Sequence, residues 1–143
     1  MIYLDTSFLT PIFREEVASE KVADFLSRQV VGTLAVSKWV SVEFSSLISR
    51  DVRIGALTVA QGKRLIAEFD SMVATSLVVW IPSANDFDLA QQYIVNFATQ
   101  LRGPDALHLA VAHNNRAEFI ATLDEGMLSA AKKLKIPARW VIR

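Results

Sequence analysis

The sequence predicts an α/β protein, a three-layer α/β/α sandwich with a central parallel sheet of four or five strands. Three observations predict it. Short apolar runs without alternation recur at residues 1–4, 33–37, 77–81, 119–122 and 139–142, as expected of strands buried on both faces. Stretches with helical periodicity separate them, and parallel neighbours need such a crossover. Two of the runs are followed by an aspartate, Asp5 and Asp124, and open α/β sheets bind ligands beyond the carboxyl ends of their strands.

Taken in order, strand 1–4 leads into a short helix over 7–14 that Pro11 disturbs. Ser19 reads as the N-cap of a helix reaching about Gln29. Gly32 breaks that helix, and strand 33–37 follows. The next helix, 39–53, carries Val40, Phe44, Leu47 and Ile48 on one stripe and stops at Gly55. Thr58 with Gln61 makes a capping box for a long helix bearing Leu65, Ile66, Phe69, Met72 and Val73. Strand 77–81 is closed by Pro82. Ser83 with Asp86 then opens a helix to about Phe97. Gly103-Pro104 starts another, with proline at the tolerated N1 position, and the Asn114-Asn115 pair ends it in a left-handed C′ residue. Strand 119–122, a helix over 125–134, Pro137 and a last strand at 139–142 complete the chain. There are no repeats, low-complexity tracts or linkers, so residues 1–143 are expected to form one domain.

Composition excludes several classes. Hydrophobic residues make up 52% of the chain, which predicts an ordered core rather than disorder. No apolar run approaches the ~18 residues of a membrane span, and no basic segment precedes the first apolar run, so neither membrane nor signal peptide is expected. The absence of cysteine rules out disulfide and thiolate chemistry and fits a cytoplasmic protein. Fifteen basic and fifteen acidic residues cancel. Binding to nucleic acid must therefore be local or metal-assisted.

Four acids stand out. Asp5 and Asp124 follow strands, and each has an ordinary alternative role as N-cap of the next helix. Glu43 lies about 60° from Val40 at ~100° per residue, on the flank of the buried stripe, although a glutamate stem can also snorkel from there. Asp105 opens Asp105-Ala106-Leu107-His108-Leu109-Ala110-Val111-Ala112, where only it and His108 are polar. A helix apolar almost all round is buried, and a buried carboxylate needs a partner or a metal. Oxygen-only ligands favour Mg²⁺ or Mn²⁺ over zinc. His108 reads first as a helix-packed histidine with a satisfied ring nitrogen, and second as a catalytic group. His113 suits a helix C-terminus. Trp39, Trp80 and Trp140 read as core or rim.

These residues together resemble the PIN-domain ribonucleases, and in particular the toxins of VapBC-type toxin–antitoxin pairs. The matching pieces are Leu4-Asp5-Thr6-Ser7, Glu43, Arg102-Gly103-Pro104-Asp105-Ala106-Leu107-His108-Leu109-Ala110, and Thr122-Leu123-Asp124 followed by Leu128, Ala131 and Leu134. The resemblance implies a metal-dependent endoribonuclease in which Asp5, Glu43, Asp105 and Asp124 hold Mg²⁺, or Mn²⁺ in its place. It implies supporting roles for Thr6, Ser7 and Thr122, an RNA substrate, a VapB-like antitoxin and a homodimer. Glu125, directly after Asp124, departs from the pattern of many relatives. Phe8, Phe13, Phe25 and Phe44 are expected to be exposed and to line the antitoxin's groove. Competing readings are a stand-alone PIN-domain RNA-processing nuclease and a non-catalytic PIN-like binding module. A haloacid-dehalogenase-like phosphotransferase fits less well, because its second aspartate would fall at Ser7.

Overall fold

A computed structural model describes residues 1–142. Its sheet comprises β1 (Ile2–Leu4), β2 (Leu34–Ser37), β3 (Val78–Trp80), β4 (Phe119–Ala121) and β5 (Ala138–Arg139), in the spatial order β3-β2-β1-β4-β5. Every pairing is parallel, with Ile2 beside Leu34 on one side and beside Phe119 on the other. The chain thus builds outward from β1 in one direction, then returns to build outward in the other. That reversal lies between β1 and β4, and it opens a crevice at their carboxyl ends.

Seven α-helices among the described residues cover the sheet: α1 (Thr6–Phe13), α2 (Ser19–Ser27), α3 (Lys38–Arg53), α4 (Val59–Ser76), α5 (Ala84–Val95), α6 (Gly103–Asn114) and α7 (Glu125–Leu134). Helices α1 to α4 pack on one another, α5 packs on α6, and α7 packs on β5. Both expected capping boxes form, Thr58 with Gln61 and Ser83 with Asp86. A short 3₁₀ turn, Phe97–Thr99, follows α5.

Several local expectations are corrected. Helix α1 continues through Pro11, which is buried in it. Ser19 does not cap α2. Its hydroxyl instead donates to the Pro11 carbonyl at 2.6 Å and accepts from the Glu16 N–H at 2.9 Å, tying the α1–α2 turn, while Ala18 occupies the cap. Pro104 sits one position inside N1, because Gly103 already has that place after the Arg102 N-cap. The left-handed residue beyond α6 is Arg116, with φ 54°, rather than an asparagine. The asparagine amides are engaged elsewhere, Asn114 on Asp86 at 2.7 Å and Asn115 on the Val111 carbonyl at 2.8 Å. Strand β5 spans Ala138–Arg139 instead of 139–142, since β4 ends at Ala121 and offers it no further partner.

The phenylalanines expected on the surface are in the core. Phe8 and Phe44 are fully buried, and Phe13 and Phe25 are partly buried and packed against the core. Phe44 stacks on Phe69 of α4 with ring centroids 4.2 Å apart, and Phe13 meets both edge-on. Helix α4 covers the faces of α1 and α3 that the sequence left open, and α2 covers Phe8 through Phe25.

Candidate active site

The chain leaves β1 at Asp5, whose extended backbone caps α1 while its Oδ1 accepts the Phe8 N–H at 2.9 Å. The Ser7 hydroxyl donates to the same carboxylate at 2.8 Å, and the Thr122 hydroxyl donates to Oδ2 at 2.5 Å. Thr122 Oγ in turn accepts the Asp124 N–H at 3.0 Å, and Ser7 Oγ accepts the Leu123 N–H at 2.9 Å. Asp124 caps α7 through the Met127 N–H at 2.7 Å. Two hydroxyls therefore lace the ends of β1 and β4 together around Asp5. The cap and site readings of Asp5 and Asp124 are compatible, because capping fixes the carboxylates at the crevice.

Glu43 reaches the same crevice from α3. Its Oε1 accepts the Thr6 hydroxyl at 2.7 Å and also a short hydrogen bond from His108 Nε2. A carboxylate can only accept, so Nε2 carries the proton. In the neutral ring Nδ1 is then the acceptor for the Tyr3 hydroxyl, 2.8 Å away, and Tyr3 lies 2.8 Å from Ser37 Oγ at the end of β2. Tyr3, Ser37 and His108 are all buried. Among the described residues Trp39 Nε1 is the one buried side-chain nitrogen or oxygen without a partner, so the buried part of the acid cluster is fully hydrogen-bonded.

Asp105 stands in the first turn of α6, half-buried, with no side-chain hydrogen bond or ion pair among the described residues. Burial, followed by the charge of Asp124, pushes its carboxyl up to about 6, with Glu43 and Asp5 adding to the rise and His108 opposing it. Asp105 thus feels the charges of the other three acids. Burial also raises the Asp5 carboxyl, against the opposing effects of His108, Thr122, Phe8 and Ser7. Burial would raise Glu43 too, but the His108 hydrogen bond and charge, with the Thr6 hydroxyl, hold it below its ordinary value. No lysine or arginine pairs with any of the four among the described residues.

Of the seven residues singled out from the sequence, Asp5, Ser7, Thr122 and Asp124 form one hydrogen-bonded group and Thr6 with Glu43 another, while Asp105 is linked to them through charge alone. Glu125 and His113 are exposed and outside this network. Sequence reasoning missed Tyr3 and Ser37. Their signal was a polar residue inside each of two otherwise apolar strands, Tyr3 two positions from Asp5 and hence on the same side of the sheet.

The residues suit a hard divalent cation in their chemistry. The donors are carboxylate oxygens, burial and then the charges of neighbouring acids raise Asp105, and both protein donors to Glu43 converge on Oε1, leaving Oε2 without one among the described residues. As the side chains stand, no three Asp, Glu or His groups among the described residues are close enough to enclose an ion. Asp105 is the one of the four acids that no side-chain hydrogen bond restrains among the described residues.

A fold of this topology with acids at the β1–β4 switch point defines a class of acidic-site α/β domain. The chain belongs to the PIN domain family, whose model matches residues 2–133. No curated protein matches it. Among solved structures it is similar to VapC20 from Mycobacterium tuberculosis, described as a Sarcin-Ricin loop cleaving toxin, at 18% identity and TM-score 0.74, covering 91% of this chain and 95% of that one. FitAcB from Neisseria gonorrhoeae gives 16% identity and TM-score 0.70 over 96% of both chains. VapBC-1 from nontypeable Haemophilus influenzae gives 15% and 0.69 over 97% of both. At these identities the likeness is one of fold.

Proposed function

We propose that this chain is a metal-dependent endoribonuclease, acting in the cytoplasm as the toxin of a VapBC-type toxin–antitoxin pair. The observation that carries the nuclease reading is that Asp5, Glu43 and Asp124 gather near the switch point within reach of the charge of Asp105, with no lysine or arginine partner among the described residues. Asp5, Asp105, Asp124 and Glu43 Oε2 would hold Mg²⁺, or Mn²⁺ in its place, with the hydroxyls of Ser7 and Thr122 keeping the Asp5 carboxylate aligned. The ion, when bound, supplies charge neutralisation for an RNA phosphate and activation of the attacking water. The chain's own contribution is orientation. Capped helices fix Asp5 and Asp124, Thr6 and His108 fix Glu43, and Asp105, raised by burial and then by its acidic neighbours, gains most from a cation that neutralises the cluster.

The toxin role is supported by likeness to VapC20 and to VapBC-1 in fold. An antitoxin would cover the crevice, and a basic side chain from it would compete with the metal. The homodimer is supported by exposed Ile81, Phe87, Val95 and Phe97, apolar surface on and beside α5 that a second copy could cover. RNA cleavage by the purified chain with and without Mg²⁺ tests the nuclease. The toxin role is tested by growth on expressing the chain alone.

A further inference from the structure

Nothing in the acid quartet itself requires the chain Ser37–Tyr3–His108, yet it runs through the centre of the fold and ends on Glu43. Ser37 is the N-cap residue of α3 but makes no side-chain cap bond, and its hydroxyl faces Tyr3 at 2.8 Å instead. Tyr3 stacks on Trp80 of β3, centroids 5.7 Å apart and planes within 7°, which holds its hydroxyl in place. Three fully buried polar groups in a line carry a desolvation cost that an apolar core would avoid. Nε2 donates to Glu43 whether the ring is neutral or charged; in the neutral ring Ser37 donates to Tyr3 and Tyr3 to Nδ1, and in the charged ring those two bonds run the other way.

We propose that His108, braced by Tyr3 and Ser37, is a positioning residue for Glu43. It occupies Oε1 together with Thr6, so that Oε2 alone is presented to the crevice. This rests on the reading of Glu43 as a metal ligand. Tyr3 holds Nδ1 at 2.8 Å and so fixes the ring plane. The imidazole then works as outer-shell support of the kind that orients ligating carboxylates.

The test is Mn²⁺ titration by calorimetry on the folded apo protein, with melting temperature recorded for every variant. His108→Leu removes the donor to Glu43 and should weaken Mn²⁺ binding about 10- to 100-fold. His108→Gln keeps an amide donor near the Nε2 position and should recover most of that loss. Tyr3→Phe keeps the stack on Trp80 and loses only the hydroxyl, and it should weaken binding by roughly 3- to 10-fold. Should His108→Leu fail to fold, Tyr3→Phe and His108→Gln decide the matter. A purely structural role predicts lower melting temperatures with unchanged Mn²⁺ affinity, and that result overturns the proposal. Glu43→Gln is the control: if it binds Mn²⁺ as the parent does, Glu43 is no ligand and the positioning role falls with it. If Glu43→Gln loses binding while Tyr3→Phe and His108→Leu do not, the metal site stands and only the positioning claim is refuted.

Discussion

The hydroxyl of Thr122 lies 2.5 Å from Oδ2 of Asp5 while its oxygen accepts the Asp124 N–H. One side chain thus joins the acid after β1 to the acid after β4. Replacing Thr122 with valine keeps the shape and removes both roles. A buried carboxylate and a backbone N–H lose a partner, so stability should fall by about 1–3 kcal/mol. Thr122→Ser should lose much less. Urea unfolding of the two variants makes the comparison, and equal stabilities would show that the hydroxyl holds nothing.

Asp105 should cost the apo fold stability once ionised. Its folded value of about 6 lies above the ordinary 3.8. The folded state therefore binds the proton more tightly, and stability declines as pH rises from 3.8 through about 6. Asp105→Asn removes that decline. In EDTA the variant should melt higher at about pH 7, by roughly 3 °C for about 1 kcal/mol after discounting for solvent screening. Well below the ordinary 3.8 the two proteins should melt together, the Asp105 carboxyl then being neutral in the folded and the unfolded chain alike. A lower melting point for Asp105→Asn at neutral pH would mean that Asp105 is a structural cap.

Glu43 has the opposite sign. Its folded value is depressed below the ordinary 4.5, so it contributes stability that is present above 4.5 and lost as pH falls through the folded value. Glu43→Gln should flatten the acid limb of the melting profile. A limb as steep as the parent's would show that the Thr6 and His108 contacts do not favour the ionised form.

Expressed without a partner, the chain should arrest growth of its host. Asp105→Asn should relieve the arrest at unchanged protein level, because it is expected to fold at least as well as the parent. Asp5→Ala is the poorer control, since Asp5 also caps α1 and accepts from Ser7 and Thr122. Its expected loss of cap and contacts, about 1–3 kcal/mol, could relieve arrest by unfolding alone. Normal growth on the folded, unmutated chain would remove the toxin role and leave the nuclease open to test.

Much of this was legible in the residues. Unalternating strands with an aspartate after the first and fourth placed two acids in one crevice. The all-apolar helix around Asp105 marked it as cleft-lining, and the flank position of Glu43 pointed it inward. What failed depended on tertiary cover. Phe8 and Phe44 lie on amphipathic helices whose outer faces α2 and α4 happen to cover, and no local pattern reports a covering helix. Ser19 has the chemistry of an N-cap, but its hydroxyl found the Pro11 carbonyl across a turn. The Ser37–Tyr3–His108 series joins residues 34 and 105 positions apart, a separation at which spacing carries no signal.

The most direct test of the central claim is cleavage of a structured RNA by the purified, metal-stripped chain, followed as Mg²⁺ is added back. The acidic crevice predicts no cleavage in EDTA, cleavage restored by Mg²⁺ or Mn²⁺, and loss of at least about 100-fold in Asp105→Asn protein that is still folded. Cleavage that persists in EDTA, or in folded Asp105→Asn at the parent's rate, would contradict a metal-dependent nuclease built on these four acids.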